Sequence, residues 1–482
     1  MIAVVGVLLL SIVFSSMLSR KFNVPLIIIS LTVGVLFGSD VSGIIYFDDT
    51  LITQRIANIA LLFILFAGGF NTKYSNLHSA TIRPALLLST IGVLLTAVLA
   101  ALAFNFLTDW SFLKSLILCL ILSSTDAAAV FSILRSRQIH SFGAQIAEIE
   151  SAANDPMAII SVLFGIQLFL GNGFNSYVSV LIILWQLVGG AILGILIGNL
   201  ASYFFNKIRN CDLGYYYLFL IGVILLSFGL PDLINASGMV SVFIAGLVFG
   251  NKKIPSRTKI ASFTDTLAFI SNTGLFVLLG LLVFPKQFSN IWLLGLILFI
   301  AITFIARPIS VFVCTFSTRL LIKEKLFLSW GGIKGAVPIV LATYPLTYGI
   351  DENHEILNIV FFVVFLSLFI QGTTIGKLAD FFKLSSKKIK ELKPLMDLVT
   401  IQDTNYELIT LHVDENIYTG QCKVSDFKLP SNTTISMVTR NNAIIAPSGG
   451  TIILPGDYIS ILVNKDNVED IASYILSNFN KN

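Results

Sequence analysis

Long apolar runs limit what this chain can become. Up to position 378, stretches of about 17–25 residues that are almost free of charge follow one another, and that length carries a helix across a bilayer. They fall at 2–18, 23–39, 52–70, 84–107, 112–134, 143–171, 177–205, 212–230, 236–251, 258–284, 291–317, 324–349 and 355–378. The reading is an all-α polytopic membrane protein with about thirteen transmembrane helices. Composition agrees: 55% of the residues are hydrophobic and 12% charged, where a soluble domain carries roughly 25% charged. A net charge of +4 selects no partner class, and nothing points to nucleic acid. Cys119, Cys211, Cys314 and Cys422 are scattered without CxxC or metal spacing, so neither a disulfide framework nor a resident metal is read. The opening "MIAVVGVLLLSIVFSSML" lacks the basic n-region of a signal peptide and is read as a retained first span.

The basic residues orient these spans. Arg20/Lys21, Lys73/Arg83, Arg135/Arg137, Lys207/Arg209, Lys252/Lys253/Arg257/Lys259 and Arg319/Lys323/Lys325 fall in alternate loops. The intervening loops are nearly free of Lys and Arg, and one of them, "GIDENHE", is acidic. The positive-inside rule puts the basic side in the cytoplasm, the N-terminus outside and the C-terminus inside. The membrane part then covers 1–380 and a basic linker 381–397. Residues 398–482 differ in kind. "YELITLHV" and "GDYISILV" alternate apolar and polar residues between turn signals at Pro430-Ser431-Asn432, Gly449-Gly450 and Pro455-Gly456-Asp457. With the helix-like "NVEDIASYILSNF" they predict a small α+β cytosolic domain.

Three short patterns recur in order at an offset of about 210 residues: "GVLFGS" and "GLVFGN", "LFILF" and "LFVLL", "SSTDAAAVF" and "GGIKGAVPI". Each pairs a span with the one about seven further on. An odd shift reverses orientation, so the halves read as two inverted repeats, the architecture of secondary transporters. Small-residue breaks at matching places predict crossed discontinuous helices. Asp126 and Lys334 take equivalent positions there, an acid and a base suited to neutralising the opposed half-helix dipoles.

The stretch "ESAANDP" on the sixth span is the other polar anomaly. An Asp at a helix centre costs roughly +2.5 to +3.5 kcal/mol on insertion scales. Glu150 and Asn154 share one helix face and Ser151 and Asp155 the next, a stripe that Pro156 closes. Glu148 has no assigned role. The conspicuous counter-charge is Arg307 in "FIARPISVF". One acid in an ion pair with it leaves another to do chemistry. A lone carboxylate in a partly buried cavity holds a proton or a monovalent cation, not both, and such competition suffices for exchange. Asp155, Ser151, Thr125 and unwound backbone carbonyls offer the oxygens that a hard cation needs.

Together, "TDAAAV", "EIESAANDP", "ARP" and "WGGIKGAVP" resemble the cation/proton antiporters of the NhaP and Na+/H+ exchanger type over about 380 residues. The resemblance implies that Asp155 is the cation- and proton-carrying carboxylate and that Asn154 beside it marks the electroneutral Asn-Asp branch. It implies that Glu150 pairs with Arg307, that Thr125 and Asp126 form the unwound crossing, and that a homodimer works by an elevator-like movement. Relatives often carry an acid near "LFAGGFNT"; this chain has none, and Asp265 is either a substitute or an interfacial cap. The tail "NNAIIAPSGGTIILPGDYISILV" resembles TrkA-C (RCK-C-like) modules, which implies potassium as substrate and regulation by a cytosolic nucleotide or cyclic dinucleotide.

The expected function is exchange of K+, or alternatively Na+, for H+ across the cell membrane; the chain is not read as an enzyme and calls for no cofactor. A purely structural tail on a Na+/H+ antiporter stays open as an alternative. A ligand-gated channel lacks a TVGYG-like filter, and an aspartyl protease built on Asp126 and Asp155 lacks a GxGD stretch.

Overall fold

Helices surrounded by lipid gain little from apolar contact, so close backbone approach holds them together. The computed structural model divides into two units, Met1–Ser385 and Ser386–Asn482. It describes residues 6–7, 10–14, 26–38, 40–45, 49–74, 79–126, 142–171, 176–208, 212–283, 285–351, 354–384, 406–413, 422–427, 429, 433–440 and 443–464. Most of the first predicted span, the last third of the fifth, most of the basic linker and the C-terminal helix-like segment lie outside the described residues.

The first unit runs α1 (Leu26–Phe37), α2 (Thr50–Asn71), α3 (Ser79–Leu87), α4 (Val93–Leu107), α5 (Phe112–Ile121), α6 (Phe142–Phe169), α7 (Ser176–Lys207), α8 (Leu213–Asp232), α9 (Gly238–Gly250), α10 (Arg257–Leu281), α11 (Phe288–Ile300), α12 (Arg307–Cys314), α13 (Ile322–Trp330), α14 (Ala336–Thr347), α15 (Glu355–Leu366) and α16 (Gly372–Phe381). π-Helical turns at Leu88–Gly92, Ala301–Ala306 and Ser367–Gln371 join α3 to α4, α11 to α12 and α15 to α16. Among the described residues, 7 helices are long and apolar enough to cross a membrane, or 8 if the bent α6 counts as one span; four shorter apolar helices accompany them. Large apolar side chains such as Leu181, Leu226, Phe269 and Phe304 stay exposed, which suits helices solvated by lipid.

Two helix groups share this unit. In the first, α9 packs on α7 and α2, and α10 packs on α1 and α2. Glycine permits this: a Cβ on Gly246 would lie 2.4 Å from the Phe66 carbonyl oxygen, and one on Gly34 would lie 2.3 Å from that of Val277. Side-chain amides finish the helix ends. Asn251 donates to the Thr72 carbonyl (2.7 Å) and accepts from the Tyr74 amide (2.8 Å), satisfying backbone groups left over after α2. In the second group, α4, α5 and α6 pack with α11 to α15. Thr96 donates to Ser310 (2.9 Å) between α4 and α12. The groups meet where α2 and α10 lie against α14.

The sixth predicted span is one helix through Pro156: α6 continues to Phe169 and bends by 42° between Ser151 and Ala153. Proline lacks an N–H, and its ring clashes with the carbonyl four residues earlier. The strain therefore appears a turn upstream, at the polar residues, while the helix itself survives.

The second unit is a four-stranded antiparallel sheet ordered β1 (Tyr406–His412), β6 (Tyr458–Asn464), β3 (Thr434–Arg440), β4 (Ala443–Ile445), with β2 (Cys422–Lys423) paired to β5 (Ile452–Ile453). Val438, Ile453, Ile459, Ile461 and Val463 form its core. Leu454 to Asp457 make a turn with proline second and glycine third, Gly456 at φ +88°, and the Asp457 amide donates to the Leu454 carbonyl (3.1 Å). Arg440 grips the buried Asp457 carboxylate with two hydrogen bonds of 2.8 Å, locking that turn to β3.

Candidate functional site

Two stretches of backbone leave the helical state inside the second helix group. After α5, residues 122–126 carry "LSSTD" without helix; after α13, residues 331–335 carry "GGIKG". Glycine makes the second stretch cheap to unwind and lets the two touch. A Cβ on Gly335 would sit 2.6 Å from Cβ of Asp126, so any larger residue there collides with the other segment. The Asp126 amide donates to the Ile333 carbonyl (2.7 Å), and Lys334 Nζ donates to the Ser124 carbonyl (3.2 Å).

The last π-helical turn braces this region. Ser367 accepts from the Lys334 amide (3.0 Å) and donates to Gln371, whose amide donates to the Trp330 carbonyl (3.2 Å). Thus both sides of the break in α13–α14 are tied by side chains from one neighbouring segment. In a low-dielectric interior, backbone groups released from a helix must find protein partners. Sequence reading missed Ser367 and Gln371. Their signal was available as two polar residues four apart in the apolar run "FLSLFIQG".

Helix α6 lies beside the first stretch. Successive residues on a helix turn by about 100°, so Asn154 and Asp155 serve different neighbours. Asn154 is fully buried; its amide donates to Thr125 Oγ1 (3.2 Å) and to the Ser123 carbonyl (3.5 Å). Thr125 donates its own hydroxyl to Ser151 Oγ (3.1 Å). With its proton committed and one lone pair used, Thr125 keeps one acceptor position. Ser151 and Asn154 therefore stand one layer behind the cavity, where they hold Thr125. Thr125, Asp126 and Asp155 line that cavity, together with Leu61 and Ile64 of α2, Asn272 of α10 and Gly335 to Pro338. Its volume is about 30 Å3, room for roughly two water-sized bodies.

Asp155 is 6% exposed, and among the described residues its carboxylate has no hydrogen-bond partner. Glu150, one helical turn away, is 1% exposed and contrasts with it: its Oε2 accepts from Arg307 Nη2 at 2.8 Å, and Arg307 is itself buried. Arg307 opens α12 directly after the second π-helical turn, and its guanidinium lies against Gly332 of the unwound stretch. The ion pair thus links α6, α12 and the break before α14. Asp265 stands apart from the cavity. It accepts from Asn71 Nδ2 at 2.7 Å and bridges α10 to the end of α2. The side chain of Glu148 lies outside the described residues.

A membrane helix bundle with two contacting unwound segments and a buried acid that has no hydrogen-bond partner among the described residues is the arrangement of an ion-coupled transporter. Residues 7–380 match the model of the sodium/hydrogen exchanger transmembrane family, and residues 423–476 match the TrkA-C domain. The chain belongs to the sodium/hydrogen exchanger family of cation/proton antiporters. It is 32% identical over 481 residues to a K+/H+ antiporter, NhaP2, of Shewanella sp. (strain ANA-3), covering 97% of this chain and 82% of that protein. It is 30% identical to the K+/H+ antiporter NhaP of Alkalimonas amylolytica, covering 99% and 83%. Its fold matches the solved sodium proton antiporter MjNhaP1 of Methanocaldococcus jannaschii with a TM-score of 0.69 at 23% identity, over 80% of this chain and 99% of that one.

Removing one partner of a buried ion pair strands the other charge, at a cost of about 3–5 kcal/mol. Arg307→Ala should accordingly lower the thermal unfolding midpoint of the purified protein strongly, and Glu150→Leu/Arg307→Met should recover much of the loss. Wild-type stability in Arg307→Ala would show that the pair does not support the fold.

Proposed function

We propose that this protein exchanges K+ for H+ at the single carboxylate of Asp155, with electroneutral one-for-one stoichiometry. One observation carries the reading: Asp155 is the acid of the α6 stripe that makes no hydrogen bond or ion pair among the described residues, in a cavity it shares with Thr125 and Asp126. Glu150 is neutralised by Arg307, so one acid remains to hold a proton or a cation in turn. Asp126 and Lys334 offset the ends of the broken helices, while Asn154 and Ser151 fix Thr125 as a neutral oxygen ligand. Relatives described as K+/H+ antiporters support potassium; the fold shared with a sodium proton antiporter supports Na+ as the second reading.

The architecture we infer has about thirteen spans in two inverted repeats. The helix contacts support it. Gly34 meets Val277 as Gly246 meets Phe66, and each residue of one pair lies about 210 positions from its counterpart in the other. The π-helical turns at Leu88–Gly92 and Ala301–Ala306 stand at the same interval. In this scheme the antiporter domain is 1–380, the linker 381–397 and the regulatory domain 398–482, with the N-terminus outside, the C-terminus cytoplasmic, and two copies forming a homodimer. A cytosolic nucleotide or cyclic dinucleotide binding the C-terminal domain adjusts the exchange rate.

Two experiments test this. In everted vesicles with a pH-sensitive dye, wild type dissipates an imposed ΔpH on addition of K+, and Asp155→Asn abolishes the response to K+ and Na+ alike; a surviving response sinks the site. In the same vesicles a panel of nucleotides and cyclic dinucleotides should change the rate, and truncation after residue 397 should remove that sensitivity while leaving exchange. Equal sensitivity with and without the tail, or none in the full chain, contradicts the regulatory assignment.

A further inference from the structure

The cavity beside Asp155 has unequal walls. Its oxygen donors Thr125, Asp126 and Asp155 all come from the group of helices that holds the unwound segments. The α14 edge contributes Gly335 to Pro338, the N-terminal end of a helix, whose free N–H groups carry partial positive charge and repel a cation. The α2 wall offers Leu61 and Ile64, with no polar atom in either side chain. Among the described residues, the one further side-chain oxygen lining the cavity belongs to Asn272 of α10, which comes from the other helix group.

The amide of Asn272 is partly buried and makes no hydrogen bond among the described residues. Side-chain amides inside membrane helices normally bond across to a neighbouring helix, because an unsatisfied one is costly there. Asn251 and Asn154 do so in this protein; Asn272 instead borders the cavity. Asp265, two turns earlier on α10, is occupied by Asn71 and supplies nothing to the site.

We propose that the side-chain oxygen of Asn272 is a ligand of the transported cation and sets the preference between K+ and Na+. It completes the shell on the side where α2 is apolar. Being neutral, it adds a ligand without a second exchangeable charge, so one cation still displaces one proton. The amide stands on a helix outside the group carrying Asp155, so it also sets how closely the opposite wall can approach an ion. The inference rests on the exchange site placed at Asp155.

The test compares initial rates against K+ and Na+ concentration at fixed pH, in vesicles carrying wild type, Asn272→Leu, Asn272→Ala or Asp155→Asn, normalised to protein in the membrane. Leucine keeps the volume and removes the oxygen; alanine carries the same prediction if the leucine variant does not accumulate. Losing one ligand interaction should raise the apparent KM for K+ about tenfold, change the K+/Na+ ratio and leave the maximal rate near wild type. A wild-type KM and cation ratio in these variants, with Asp155→Asn inactive, overturns the role of Asn272 alone. Exchange surviving in Asp155→Asn overturns the site and this inference with it.

Discussion

Ten residues of backbone without helix, 122–126 and 331–335, lie in the interior of the helix bundle, and every polar group they expose needs a partner there. The two stretches meet part of this need from each other, through Asp126 to Ile333 and Lys334 to Ser124. Ser367 meets another part and Asn154 a third, while Gln371 takes the Trp330 carbonyl at the end of α13. Much of the polar chemistry in the membrane unit follows from that demand. Glycine at 335 is fixed by contact with Asp126, and at 332 a Cβ would lie 3.0 Å from Arg307 Nε.

The same accounting isolates Asp155. Polar residues in α6 look redundant until their partners are assigned: Glu150 to Arg307, Asn154 and Ser151 to Thr125. Each assignment removes a group that must be satisfied structurally. What remains is one carboxylate and a small space next to it, enough for an ion that has shed most of its water. A charged group in such a place is retained for function, because its burial does not favour folding.

Much of this was legible in the sequence because charge in a membrane span is rare. The apolar runs, the "ESAANDP" stripe, Arg307 and the "GGIKG" break stand out against 55% hydrophobic residues. Helical periodicity placed Glu150 with Asn154 on one face, but it assigned no partner across the bundle, since a residue 157 positions away in sequence provides one of them. Pro156 closes the polar stripe within one predicted span, 143–171, and α6 does run through it; the 42° bend at the polar residues is what a linear pattern does not report. Ser367, Gln371 and Asn272 escaped notice because a single uncharged polar residue in a span carries little signal by itself. Asp265 is as visible in sequence as Asp155, yet it ties α10 to the end of α2. Depth in the bundle separates the two, and a linear pattern does not report depth.

The account makes one quantitative demand: a single exchangeable carboxylate trades one cation for one proton. Charge movement on a K+ jump, recorded from proteoliposomes on a solid-supported membrane, measures this directly. The account predicts dye-detected proton flux with no steady transport current, and an internal pH that settles at the K+ gradient whatever membrane potential is imposed. A sustained current accompanying that flux would contradict it and require a second charge in the transport step.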